Sequence, residues 1–346
     1  MEFIFIAKVL LVLAILAISL LVATYTTYAE RKVAAFLQDR VGPDRAGPMG
    51  IFQPFMDAAK MFMKEEIFPK DSNKFLFILG PALAMLTACM TSAVIPWSKD
   101  ITLMGHRIPL QVANINIGVL YVFGVVSLGV YGIMIGGWSS NNKYSLLGAI
   151  RASSQMISYE LAMGLSLIAI LMMSGSLDLK DIVEKQHGFW TGSYFSWNFF
   201  RAPLSFLIFI ICAFAECNRA PFDLAECESE LIGGYHTEYS SMKLGLYLFA
   251  EYVNMFISSA LISALFFGGY NFPFMDSIGN ENAVAIIGLC VFFAKTFFFM
   301  FVYLWVRWTL PRFRYDQLMR LGWQYLLPLA IFNILVVGAI IMWRMM

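Results

Sequence analysis

Apolar residues run in long unbroken stretches along this chain, and polar residues gather in the intervals between them. Eight stretches have the length to cross a bilayer: Phe3–Tyr28, Phe75–Ile95, Val112–Gly136, Ala152–Met173, Phe199–Ala215, Gly245–Gly269, Ala283–Trp308 and Tyr325–Trp343. A spanning helix needs roughly 20 mostly apolar residues, whereas barrel strands would be shorter and would alternate apolar with polar positions. The pattern predicts an all-α polytopic membrane protein, with about eight transmembrane helices in a single membrane domain over residues 1–346. Glu2 leads straight into the first apolar run, which reads as a span rather than a cleavable signal. No inverted internal repeat of the transporter kind is visible.

The interval 29–74 carries a second pattern. Gly42, Pro43, Gly47, Pro48 and Gly50 forbid a regular helix at its start. From Gln53 to Phe68 a helical period resumes, with Phe55, Ala59, Phe62 and Met63 on one face and Asp57, Lys60 and Lys64 on the other. This predicts an amphipathic helix lying on the membrane surface or packed under a partner protein.

Charge placement orients the spans. Of the 24 Lys and Arg residues, about 16 fall after spans one, three, five and seven, and about 6 fall in the other intervals and at the C-terminal end. The odd-numbered loops are therefore expected to face the cytoplasm, with both termini on the other side. Overall, 60% of residues are hydrophobic and 14% charged, against about 25% charged in an average soluble domain. The net charge of +1 carries no signal for nucleic acid. Five cysteines occur without a C-x-x-C pair and read as small apolar fillers. His106, His187 and His236 all lie outside the spans, which argues against a membrane haem. No Fe–S spacing, phosphate loop or dinucleotide fingerprint appears. The chain is expected to hold no redox centre and no metal of its own.

Candidate chemistry concentrates in 215–244, an acidic loop expected on the cytoplasmic side. It holds Glu216, Asp223, Glu226, Glu228, Glu230 and Glu238 against Arg219 and Lys243. A helical turn would put Asp223, Glu226 and Glu230 on one face, where like charges repel. Such a face is solvated, or partly protonated, or covered by a basic partner. Crowded carboxylates at a membrane boundary have raised, coupled pKa values, which suits proton transfer. Ionisable residues within spans include Glu160 (preceded by Tyr159), Glu251 and Lys295. Each costs at least roughly 2.5–3.5 kcal/mol at the bilayer centre and so pairs or lines a polar path. Lys8 lies near a span end and snorkels. Glu30, Arg31, Lys32, Arg40 and Arg45 cluster at the inner end of the first span, and Arg307, Arg312, Arg314 and Arg320 flank the last.

These segments carry a resemblance. ERKVAAFLQDRVGPDRAGPMGIFQPFMDAAKMFMKE (Glu30–Glu65), YSLLGAIRASSQMISYELAMGLS (Tyr144–Ser166), AECNRAPFDLAECESELIGGYHTEYSSMK (Ala215–Lys243) and LPRFRYDQLMRLGWQYLLPLAIFN (Leu310–Asn333) resemble, in order, the signatures of the H-subunit family of complex I. That family supplies the quinone-site membrane subunit of proton-pumping NADH:quinone oxidoreductase. Cys217, Cys227 and Gln324 stand where the family pattern has other residues.

The resemblance implies a subunit of the bacterial inner membrane, at the junction of redox and membrane arms. It would form the quinone entry chamber and part of an acidic proton path. NADH, FMN, the Fe–S clusters and the quinone head-group ligands would belong to partner subunits. Arg31 and Arg40 match the family's chamber and loop arginines. Tyr159, Glu160, Glu216, Asp223, Glu226, Glu228, Glu230 and Glu251 match its acidic funnel. Phe52, Phe55 and Phe62 are apolar enough to line or flank the gap through which an isoprenoid tail enters. Two competing readings are a membrane subunit of an energy-converting hydrogenase, which needs no quinone chamber, and a free-standing secondary transporter. The full first-loop signature argues against the former, and the missing inverted repeat against the latter.

Overall fold

Asparagine side chains start several of the long helices. Asn73 accepts from the Phe75 and Leu76 amides, Asn142 from that of Tyr144 and Asn280 from that of Asn282, each satisfying donors that a helix start leaves open. In a computed structural model describing residues 2–103, 105–187, 196–223, 232–273, 275 and 278–345, the elements follow in chain order. They are α1 (Glu2–Leu37), α2 (Gln53–Met63), α3 (Lys74–Thr91), the hairpin β1 (Ile101–Leu103) and β2 (His106–Ile108), α4 (Gly118–Ser139), α5 (Lys143–Ser174), α6 (Leu179–Glu184), α7 (Asn198–Arg201), α8 (Pro203–Glu216), α9 (Ser241–Phe266), α10 (Glu281–Thr309), α11 (Tyr315–Arg320) and α12 (Leu327–Met345).

Among the described residues, 7 helices are long and apolar enough to cross a membrane, as an all-α polytopic protein requires. The expected span Phe199–Ala215 differs. Ala202 leaves helical geometry, and Pro203, which has no N–H to donate, opens a new helix. The resulting α8 has 14 residues, about 21 Å of rise against a hydrocarbon core of about 30 Å. It nevertheless carries the chain from one end of the bundle to the other. At one end the loops after α1, α4, α8 and α10 meet: the Ile67 amide donates to Ser240 Oγ (3.1 Å), Asn142 Nδ2 to Glu238 (2.7 Å), and the Phe313 amide to the Pro221 carbonyl (3.1 Å). At the other end Lys180 bonds Asp100 (3.1 Å), the Thr102 amide bonds Asn282 (2.8 Å), and Asn271 bonds the Val183 carbonyl (2.7 Å). Among the described residues the chain therefore passes between two ends eight times, with the start of α1 and the end of α12 at the second end. Single cysteines introduced at Lys70, Asn141 and Phe313 should react with an impermeant thiol reagent from one side, and those at Arg107 and Gly279 only from the other. Mixed accessibility within either set would break this pairing of loops.

Close approach of α3 and α4 is set by small residues. A Cβ at Gly132 would stand 2.9 Å from the Ala84 amide, and one at Gly136 would stand 1.9 Å from the Tyr247 hydroxyl of α9. Backbones meet there as in other membrane bundles. Tyr247 and Tyr239 donate to the Gly132 and Phe77 carbonyls. Pro328 has no N–H for the Gln324 carbonyl, and the preceding turns, Leu321–Leu326, widen into a π-helix.

The surface helix forms but stops at Met63 rather than Phe68. Beyond it the chain is tied to the start of α9, where Ser240 Oγ donates to the Glu65 carbonyl (3.2 Å) and accepts from Ile67 (3.1 Å), and Ser241 donates to the Met61 carbonyl. These bonds take up groups that a continued helix would have used itself. Large apolar side chains stay exposed along α1, α10 and α12, the expected surface of a body whose surroundings are lipid or neighbouring helices.

Candidate functional site

Glu30 and Arg31 are neighbours on the last turns of α1 and point to different partners. Arg31 pairs with Asp57 of α2 at 2.7 Å, on the surface. Glu30 turns inward, where Arg307 of α10 lies 2.5 Å from Oε1 and Arg219 lies 3.5 Å from Oε2. Tyr252 of α9 donates to the same Oε2 at 2.8 Å. Arg219 also reaches Glu251 of α9 at 3.6 Å and stacks over the Tyr252 ring at 4.2 Å, while Tyr235 donates to Glu251 Oε1 at 3.0 Å. Glu30, Arg219 and Glu251 are only 7%, 5% and 7% exposed. Two carboxylates and two guanidinium groups thus form a balanced, buried network across α1, α9, α10 and the start of the acidic loop. Buried charges survive only when paired in this way. The sequence singles out Arg31, Arg40 and Glu251, and it offers Glu30, Arg219 and Arg307 only as members of flanking clusters. The signal for Arg219 is its isolation among carboxylates.

Below this network an 80 Å³ cavity lies between α3, α4, α5, α8 and α9, room for several waters. Its wall is largely aliphatic, with Glu216, Glu251, Asn254, Ser258, Thr87 and Thr91 as polar points along it. Glu216 Oε2 is buried there without a hydrogen-bond partner among the described residues. Glu251 belongs to both the network and the cavity. One helix away, Glu160 accepts a short hydrogen bond from Ser127 of α4. Its neighbour Tyr159 points elsewhere, fully buried, donating to the Leu318 carbonyl at 2.9 Å and tying α5 to α11.

Asp223 is buried and receives Arg312 at 2.8 Å, and Gln155 of α5 holds the Ala215 and Phe222 carbonyls at 3.0 and 2.8 Å. The acidic loop is therefore pinned at its entry rather than solvated there. Glu226, Glu228 and Glu230 lie outside the described residues, so their shared face with Asp223 is not part of this geometry. Burial pushes the His236 imidazole below its ordinary value, with Asp223 opposing. Lys295 stands apart from the carboxylates. Midway along α10 its ammonium donates to the Phe267, Gly269 and Asn271 carbonyls, each at 2.8 Å, and faces the Trp197 ring. It satisfies carbonyls of the loop that follows α9.

At the contact-bearing end of α1 the chain meets α2 and α9 in a seam. Tyr28 donates to the Met49 carbonyl at 2.6 Å, Tyr25 meets Phe55 edge-on, and Phe52 packs beside Phe55. Lys243 bonds Glu66 at 3.1 Å and sits 3.4 Å over the Phe68 ring. The loop before α2 folds back on glycine: a Cβ at Gly50 (φ 82°) would stand 2.1 Å from the Pro43 carbonyl oxygen, and one at Gly47 (φ 77°) 2.2 Å from the Phe52 ring. Phe52, Phe55 and Phe62 remain half or more exposed. Arg40 lies on the exposed turn after α1, its Nε bonded to Gln38 at 2.8 Å. Among the described residues, no group of three His, Cys, Asp or Glu side chains is placed to hold a metal. The arrangement offers a surface seam for an apolar molecule, a buried charge network behind it, and carboxylates beside a wettable cavity.

The sequence matches the profile of a family described as NADH dehydrogenase over residues 9–338. It is 62% identical over 336 residues to the NADH-quinone oxidoreductase H subunit 1 of Cytophaga hutchinsonii, covering 97% of this chain and 96% of that one. It is 61% identical to the NADH-quinone oxidoreductase H subunit of Flavobacterium johnsoniae, covering 97% and 95%. The namesake from Leptospira biflexa is 51% identical, covering 94% and 92%.

Proposed function

The chain belongs to the NADH dehydrogenase family, with the H subunits of NADH-quinone oxidoreductase, and on that premise we propose that it forms the chamber admitting a quinone from the membrane and the acidic stretch that couples quinone reduction to proton transfer. It is a multi-pass membrane subunit of complex I, and the other subunits of that complex are its partners. In this reading the odd-loop end faces the cytoplasm of a bacterium and meets the hydrophilic quinone-site subunits. Those partners hold the FMN and Fe–S clusters and the head-group ligands, and membrane-arm subunits continue the proton path. The relatives' quinone-linked names favour this over a hydrogenase subunit.

The observation that supports it best is the shared use of one turn of α1. Arg31 holds α2, the outer wall of the seam, while Glu30 holds the buried network that includes Glu251 and so reaches the cavity. A quinone entering the seam, or changing charge at its inner end, would act on Asp57–Arg31 and be felt at Glu30 through the same turn. Glu160, Glu216 and Glu251 then exchange protons, with Asp223 and the residues from Glu226 to Glu230 continuing the acidic stretch. Tyr159 and Lys295 fix the helices that carry these groups.

Arg40 belongs to the chamber loop in this reading. Arg40→Ala in the assembled complex should lower quinone reductase activity about tenfold, the worth of one charge-assisted bond. NADH oxidation by a hydrophilic artificial acceptor should stay intact, because that acceptor bypasses the seam. Equal loss of both activities, with assembly confirmed, would remove the quinone role.

A further inference from the structure

On the side of α1 away from the buried network, a groove of 680 Å³ runs between the last turns of α1 and α10, a volume in the range of ligand clefts. One wall is the near-parallel ring pair Phe301 and Trp305, with centroids 6.3 Å apart. The other is Phe36 and Val41, both largely exposed. Lys32 and Arg40 stand among the lining residues, and no described carboxylate does.

The place of this groove in the bundle is informative. Lys32 and Arg40 follow the point where the apolar run of α1 ends, and Trp305 sits on the last turns of α10. That is the depth where aromatic and basic side chains meet lipid headgroups. An apolar trough topped by two cations is complementary to an amphiphile with an acyl chain and a negative headgroup. A quinone has a neutral head and gives the second cation nothing to do. A partner helix would need acidic residues at its end to answer both charges. We propose that the α1–α10 groove is a binding site for an anionic phospholipid, whose phosphate lies between Lys32 and Arg40 and whose acyl chain lies along Phe301 and Trp305.

Bound there, the lipid would brace the turn 38–42 from outside while the Glu30–Arg307 pair braces the same helix ends from inside. The groove shares Arg40 with the chamber loop but none of the contacts of the α1–α2–α9 seam, so the test varies Lys32, and the proposal does not depend on that seam being the quinone entrance.

The test uses the whole purified complex in nanodiscs of equal parts phosphatidylglycerol and phosphatidylcholine, with a photoreactive phenylalanine analogue replacing Phe301. After illumination, mass analysis of this chain should find phosphatidylglycerol adducts at least about fivefold over phosphatidylcholine, since each cation near the surface favours an anionic lipid by about that factor. Lys32→Gln should lower that preference about fivefold, and high salt should weaken it. As a check that needs no probe, the unmodified complex should retain phosphatidylglycerol through detergent washing, and Lys32→Gln should release it. Adducts without headgroup preference, adducts with a quinone or a neighbouring subunit, or retention unchanged by Lys32→Gln would each overturn the assignment.

Discussion

Arg219→Leu is expected to cost the complex its assembly as well as its turnover. The substitution leaves Glu30 and Glu251 buried with one fewer counter-charge and removes the guanidinium that stacks on Tyr252. Removing one partner from a buried ion pair costs about 3–5 kcal/mol, a large share of what holds a helical bundle in one arrangement. Membranes from an Arg219→Leu strain should therefore contain little intact complex by native gel. Arg219→Lys should assemble better and still turn over poorly, because a point-like ammonium cannot bridge two carboxylates and lie flat on a ring at once. Combining Arg219→Leu with Glu251→Gln lowers the unbalanced charge and should restore assembly. Quinone-linked activity should stay low, since the link from seam to cavity is gone. Normal assembly of Arg219→Leu alone would mean that the network is hydrated and carries no structural load.

Much of this architecture is readable in the amino-acid sequence. Span lengths follow from apolar runs, because a bilayer demands them, and the loop pairing follows from basic residues summed over the chain. Glycines at 47 and 50 announce an irregular turn before α2, and the turn needs both. Periodicity fails where a polar tie outweighs local pattern. The apolar period continues past Met63, yet Ser240 and Ser241, some 175 residues away in sequence, draw the chain out of the helix. Pro203 is visible, but a continuous apolar run masks the break it makes. The site is legible as a set of charges and not as a set of partners. Adjacent residues on a helix point about 100° apart, so Glu30 and Arg31, or Tyr159 and Glu160, look like one feature in sequence and serve two in space. Lys295 shows in the sequence only as a cost; the carbonyls that meet it come from the loop after α9 and cannot be read there.

The same separation of roles sharpens what should happen at the cavity. Glu160→Gln with Glu216→Gln removes two titrating carboxylates while keeping their shape. Glu216 sits on the cavity with a buried oxygen lacking a partner among the described residues, and Glu160 accepts from Ser127, a bond that a glutamine oxygen can also accept. Packing is thus preserved and the loss is one of proton exchange. A positioned acid or base is worth roughly a hundredfold or more in a proton-transfer step. In inverted vesicles, quinone-linked NADH oxidation and the proton gradient should fall together by about that factor. Both fall because an electron transfer coupled to proton movement cannot proceed once the carrier no longer binds and releases a proton. NADH oxidation by a hydrophilic acceptor should be unchanged. Tyr159→Phe supplies the contrast. It keeps every carboxylate and deletes one hydrogen bond to the Leu318 carbonyl, so it should lower stability by about 1 kcal/mol and leave the ratio of protons pumped to NADH oxidised untouched. Lys295→Gln should likewise act on stability, since its ammonium holds three carbonyls of the loop after α9. A double carboxylate variant that pumps at full rate would leave the acids with no part in coupling. A Tyr159→Phe variant that pumps fewer protons per NADH would move the path from the cavity to the α5–α11 contact.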